Sequence, residues 1–222
     1  LRKSFDDNVC GLIIEPIQGE GGVNAADTEF LKECRSLCDK HDALLIFDEI
    51  QCGMGRLGSL FAYKKFGVVP DVIAIAKALG GGFPIGAFIV NDKASIGMAP
   101  GDHGSTYGGN PLASAVALAV LKELVDGGVV DRVEEKGKYL RENLLKLKEK
   151  YGVIKEVKGM GLMLGISVED SAAFSDLCFQ KGMLAVTAGS HVVRLLPPLN
   201  VSKADMDCAL MILEEVMKET VE

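Results

Sequence analysis

Between residues 10 and 90 the chain alternates short, unbroken apolar runs with amphipathic stretches. "CGLIIEP" (Cys10–Pro16), "ALLIF" (Ala43–Phe47), "DVIAIA" (Asp71–Ala76) and "GAFIV" (Gly86–Val90) predict strands. An apolar run with no polar alternation is what a strand covered on both faces of a parallel sheet requires. Between the first two runs, "DTEFLKECRSLCDKHD" puts Phe30, Leu31, Cys34, Leu37 and Cys38 at helical spacing behind Asp27, a suitable N-cap. "LFAYKKFG" predicts a short helix ending at Gly67. "NPLASAVALAVLKELVDGG" has Pro in its first turn, is mostly apolar up to Lys122 and ends in Gly127-Gly128, which predicts a well-buried helix. Strand–helix–strand alternation of this kind indicates an α/β fold.

From Val129 the pattern changes. "VVDRVEEKGKYLRENLLKLKEKYG" is a charged amphipathic helix. It is followed by two strands around glycines in "VIKEVKGMGLMLGISV", a helix in "SAAFSDLCFQKG", a hairpin-like "LAVTAGSHVVRLLPP" and a last helix from Lys203. These features predict two domains, residues 1–127 and 128–222.

Composition narrows the function classes. The net charge of −7 over 222 residues, with no cluster of Lys and Arg among aromatics, argues against a nucleic-acid surface. The longest apolar runs are too short to span a bilayer. "LRKSFDDNV" at the start lacks the apolar centre of a signal peptide. None of the six cysteines forms a CxxC or has a His at ligand spacing, so no metal site is expected and the thiols are read as reduced, in the cytoplasm.

Candidate chemistry sits where two apolar strands end. "LLIFDEIQCGMGRLG" delivers Asp48 and Glu49, and "DVIAIAKALGGGFPIGA" delivers Lys77. In α/β sheets ligands bind at the carboxyl ends of strands. A lysine leaving a buried strand is expected to be partly desolvated and so a better nucleophile towards a carbonyl. A Schiff-base lysine and an acid for the pyridinium nitrogen are the two protein groups that pyridoxal phosphate needs. A structural Asp–Lys ion pair is the competing reading.

"FDEIQCGMGRLG", "PDVIAIAKALGGGFPIGA" and "HGSTYGGNPLA", in this order and spacing, resemble the successive signatures of the class III pyridoxal-phosphate aminotransferases. The resemblance runs from "EPIQGEGG" to "VVRLLPPL" and is strongest to the branch acting on N-acetylornithine or ornithine. It implies part of the large domain of the fold-type I transferase fold, followed by an α+β small domain. It also implies roles. Lys77 would bond to the cofactor aldehyde and shuttle the proton. Asp48 would hold the pyridine nitrogen, with Glu49 beside it. Ile50 would pack on the ring, and Gln51 would hydrogen-bond near the phenolic oxygen. Thr106 would donate to the cofactor phosphate of the neighbouring subunit of a homodimer, with Ser105 beside it near the substrate. Arg194 would take the substrate α-carboxylate in a bidentate pair, a task that suits guanidinium geometry. Glu20 would pair with Arg194 when an ω-amino substrate is bound and release it for glutamate.

The implied activity is amino transfer between N-acetylornithine, or a similar ω-amino substrate, and 2-oxoglutarate, within arginine biosynthesis. Alternatives are an ornithine-type ω-aminotransferase and a split, weakly catalytic chain acting as an association module. The family also uses a phosphate-cradling turn and a ring-stacking aromatic upstream of Cys10. Their absence makes the chain resemble the C-terminal part of such an enzyme, with weak cofactor binding, little activity and an uncovered sheet edge and face. Gly80, Gly81 and Gly82 are expected to let backbone approach closely beneath Lys77, and Arg56 to shape its loop.

Overall fold

The computed structural model describes residues 1–221. In chain order the elements are β1 (Gly11–Ile14), β2 (Ile17–Gln18), β3 (Asn24–Ala25), α1 (Thr28–Lys40), β4 (Leu44–Asp48), α2 (Tyr63–Phe66), β5 (Val72–Ile75), β6 (Ala87–Val90), α3 (Asp92–Ser95) and α4 (Pro111–Val125). They continue with α5 (Val133–Tyr151), β7 (Glu156–Met160), β8 (Met163–Ser167), α6 (Ser171–Gln180), β9 (Val186–Thr187), β10 (Val192–Leu195) and α7 (Lys203–Val221). Local chemistry sets the boundaries. The Asp27 carboxylate accepts from the backbone N–H of Glu29 (2.8 Å) and Phe30 (3.2 Å), capping α1. Asn110 caps α4 through Ala113 N–H at 3.0 Å. Gly67 (φ 65°) and Gly152 (φ 68°) end α2 and α5 in the left-handed conformation.

The chain forms two compact units. The first contains residues 1–16, 26–55 and 59–128. Its sheet has the order β1-β4-β5-β6, with β1, β4 and β5 parallel. Leu45 and Phe47 of β4 are fully buried, and α1 turns Leu31, Cys34, Leu37 and Cys38 inward. At the amino end of β5, the buried Asp71 accepts from Leu45 N–H (2.8 Å), Arg35 (2.7 Å) and Asn91 (2.8 Å). Burial pushes the Asp71 carboxyl up, but these donors outweigh it and hold it below the usual range.

Two features depart from the sequence-based expectation. β6 runs antiparallel to β5. The connection between them, residues 76–86, holds only a 3-10 turn at Lys77–Gly80. A parallel return needs a crossover of about a dozen residues or more, usually a helix. And α4 is not well buried: Leu112 (61% exposed) and Leu118 (55%) lie open, as does Phe88 (54%) on β6. Within this chain α4 packs on the 77–80 turn, and only Ala113, Ala117 and Leu124 are buried.

The second unit contains residues 17–25, 56–58 and the chain from Val129 onward. Its sheet is antiparallel, in the order β7-β8-β10-β9. α5, α6 and α7 contribute Leu144, Cys178, Leu213 and Val216 to the core. The β2–β3 hairpin packs on β7. α5 approaches the β7–β8 turn so closely that a Cβ on Gly137 would stand 2.7 Å from Gly161 Cα. Among the described residues no helix is long and apolar enough to cross a membrane.

Candidate active site

In the first unit, Asp48 is the last residue of β4 and pairs in register with Ala74 of β5. Lys77 lies three residues beyond Ala74, so the parallel strands deliver acid and amine to the same carboxyl edge.

Lys77 is exposed, contrary to the expected desolvation, because it begins the 77–80 turn and not the buried strand. Its amine makes no hydrogen bond or ion pair among the described residues. The structural ion-pair reading of Asp48 with Lys77 therefore does not describe this fold. Lys77 also has φ 45°, where L-residues are strained. Strained backbone at a side chain free to react is a mark of functional positions.

One Asp48 oxygen accepts from Ile50 N–H at 3.0 Å. The other has no partner among the described residues and is open to a donor. Ile50 and Gln51 follow, both half-buried. Glu49 sits elsewhere than the cofactor reading puts it. It is fully buried, and its two oxygens accept from Ala62 N–H (2.6 Å) and Tyr63 N–H (2.8 Å). It closes the 50–62 loop onto the end of β4 and touches no open surface.

Burial pushes the Glu49 carboxyl above its ordinary value of 4.5, and the two N–H donors offset this only in part. A raised folded-state value gives stability that is full below 4.5 and lost as pH climbs through the raised value. The stability of the wild-type chain relative to Glu49→Gln is therefore expected to fall as pH rises above 4.5. Urea unfolding at several pH values measures this, and a flat or rising difference would count against it.

The glycines after Lys77 serve a different need from the one expected. Gly81 (φ 55°) and Gly82 (φ 112°) turn the chain through positive φ, and a Cβ on Gly82 would meet nothing within 4 Å. Gly80 and Gly81 are crowded by side chains, with Ile85 Cγ2 2.8 Å and Val120 Cγ2 3.0 Å from where their Cβ atoms would be. The 104–109 loop leads into the amino end of α4 beside a hollow of about 360 Å³, lined in part by Gly86, Ser105, Gly108 and Asn110. Ser105 Oγ accepts from Gly108 N–H at 3.0 Å, and Thr106 is exposed next to it.

The second unit holds the other two candidates. Arg194, on β10, is 8% exposed and donates to Glu20 at 2.6 Å. The Glu20 side chain is 72% exposed, so an accessible acid sits on a nearly buried base. Such a carboxylate can leave without disturbing a core. Arg56 donates to Leu162 O (3.2 Å) and Pro197 O (2.5 Å), fastening its loop to the chain just after β10, and burial lowers its pKa to about 10. Sequence reasoning missed Asn24 and Lys158, whose side chains are hydrogen-bonded to each other. An asparagine near glycines was the only signal, and its partner lies 134 residues away.

Comparison with known proteins follows the same lines. The profile of the family "Aminotransferase class-III" matches residues 1–217. The chain is 57% identical over 220 residues to the acetylornithine aminotransferase of Clostridium acetobutylicum, covering 98% of this chain and 57% of that protein. It is 46% identical to that of Methanocaldococcus jannaschii, covering 99% and 55%. The chain thus spans little more than half the length of these curated relatives. Among solved structures, N-acetylornithine aminotransferase from Stenotrophomonas maltophilia superposes with a TM-score of 0.88 at 41% identity, covering 97% of this chain and 58% of that one. Plasmodium falciparum ornithine delta-aminotransferase gives 0.92 at 35% identity, covering 99% and 58%. The architecture is that of the fold-type I transferases, and with a family match over nearly its whole length the chain belongs to the class III aminotransferases.

Proposed function

We propose that the protein containing this chain is a pyridoxal-phosphate-dependent aminotransferase that exchanges an amino group between N-acetylornithine, or a similar ω-amine, and 2-oxoglutarate. The observation that carries this is the partnerless Lys77 amine at the strained end of β5, one strand from the open oxygen of Asp48. This donor set fits the cofactor. An amine stands ready for its aldehyde, a carboxylate for its ring nitrogen, and hydroxyls at Ser105 and Thr106 for its phosphate or the substrate. Pyridoxal phosphate, when bound, supplies an electron sink for charge developing at the substrate carbon.

The residues divide the remaining work. With the cofactor bound, Lys77 Nζ would hold its aldehyde and move the proton, and Asp48 would keep its ring nitrogen protonated. Ile50 and Gln51 would line the ring, and Glu49 fixes the loop that carries both. Arg194 takes the α-carboxylate of glutamate after Glu20 has released it. With an ω-amino substrate Glu20 stays in place and hides the positive charge. An identity of 57% to the acetylornithine aminotransferase of Clostridium acetobutylicum, against 35% to an ornithine enzyme, favours the acetylated substrate and a place in arginine biosynthesis. The open apolar residues of β6 and α4 support assembly as a homodimer, and nothing in the charge pattern calls for nucleic acid, a membrane or a compartment other than the cytoplasm.

Steady-state kinetics of Arg194→Gln test the reading. Losing one member of a buried charge pair costs about 2 kcal/mol or more, so KM for glutamate is expected to rise roughly 30-fold. KM for the ω-amine should move less than about threefold. Equal losses for both substrates would remove the proposed role of Arg194.

A further inference from the structure

Three residues lie side by side across the second unit's sheet: Lys158 on β7, Gly165 on β8 and Arg194 on β10. Directly opposed residues of antiparallel strands point to the same face. The β2–β3 hairpin makes one contact with each. Asn24 hydrogen-bonds Lys158, and Glu20 pairs with Arg194 at 2.6 Å. Between them Val23 sits over Gly165, where a Cβ would stand 3.0 Å from Val23 Cβ. Gly159 leaves room from the other side, since a Cβ there would stand 2.8 Å from Val23 Cγ1.

Val23 is fully buried and has φ 53°. For a β-branched residue that is a true outlier, one that persists only where the surroundings hold it. The hairpin is thus docked at three points, and the middle one is a strained valine in a notch made by two missing side chains. Glu20, by contrast, is mostly exposed and contributes little packing of its own.

We propose that Val23, seated over Gly165, is a positioning residue that presents Glu20 to Arg194 and so sets how readily Arg194 is yielded to an incoming carboxylate. The proposal rests on the reading of Glu20 and Arg194 as a substrate switch. It adds the element that fixes the balance of that switch, and with it the preference between mono-amine and dicarboxylate partners. Shortening Val23 should loosen Glu20 without touching Arg194. Filling its notch from the Gly165 side should loosen Glu20 too, but the new methyl also meets Val192 Cγ1 at 2.9 Å on the strand of Arg194, which the Glu20→Gln background below separates.

The test is titration of the 222-residue chain with glutarate, a plain dicarboxylate, followed by the NMR signal of the Arg194 side-chain N–H. Glu20→Gln removes the competitor, and glutarate should bind about tenfold tighter, within the range usual for coupled sites. Val23→Ala and Gly165→Ala should each tighten binding about threefold. In a Glu20→Gln background neither should add anything, because their effect passes through Glu20. A merely structural disturbance would persist in that background. Should Val23→Ala fail to fold in thermal unfolding, Gly165→Ala carries the test from the other side of the contact. If Glu20→Gln tightens binding while both anchor variants bind like wild type, the anchor is wrong and the switch stands. If Glu20→Gln changes nothing, the switch itself is wrong and the proposal goes with it.

Discussion

Lys77→Ala is expected to abolish covalent capture of pyridoxal phosphate. Incubating the 222-residue chain with excess cofactor, reducing with borohydride and weighing the product should show one cofactor per wild-type chain, at Lys77, and only background on the variant. The expected ratio is about tenfold or more, because among the described residues only Lys77 combines a partnerless amine with a carboxylate held open on the next strand. Reduction traps the carbon–nitrogen bond even where reversible binding is weak. Equal labelling of surface lysines such as Lys40 and Lys64 would sink the assignment. The backbone offers a second readout. A left-handed L-residue costs about 1–2 kcal/mol that glycine does not. Lys77→Gly should therefore be more stable than Lys77→Ala by about 1 kcal/mol, the opposite of the usual order.

Gly137→Ala should destabilise the second unit by about 2 kcal/mol or more. In an ordinary helix the same change stabilises by about 1 kcal/mol. Here the new methyl would meet the backbone of Gly161, with Gly161 Cα 2.7 Å away, and backbone cannot swing aside as a side chain can. Overpacking costs about 1–3 kcal/mol and more against a rigid neighbour, so it outweighs propensity. Urea unfolding followed by far-UV circular dichroism measures the shift. Gly97→Ala, where a Cβ meets nothing within 4 Å, is the control and should stay within about 0.5 kcal/mol of wild type. A stabilised Gly137→Ala protein would mean that α5 and the β7–β8 turn do not touch as described.

Much of this was legible in the chain itself. Apolar runs gave β1, β4 and β5, although the two-sided burial they suggested is not met within this chain: burial alternates along β4 and β5, and Ile13 of β1 is 65% exposed. Asp27, Gly67 and Lys203 marked element ends through chemistry that acts within four residues. The motifs carried the family. What stayed hidden depends on distance. "GAFIV" reads the same whether it pairs parallel or antiparallel, and only the short connection before it decides. The apolar face of α4 announces that something should cover it, without saying whether that something lies in these residues. Lys77 follows a buried strand yet is exposed, since one left-handed residue redirects the chain. Val23 gave no signal in the sequence, because its meaning comes from glycines some 140 residues later.

That separation has a consequence for synthesis. Glu20 leaves the ribosome 174 residues ahead of Arg194. At about 5–20 residues per second, the hairpin waits roughly 10–35 s for the strand it will sit on. Closing so long a loop is slow and entropically costly. The pair proposed to choose between substrates can therefore form only after all of the first unit has been made.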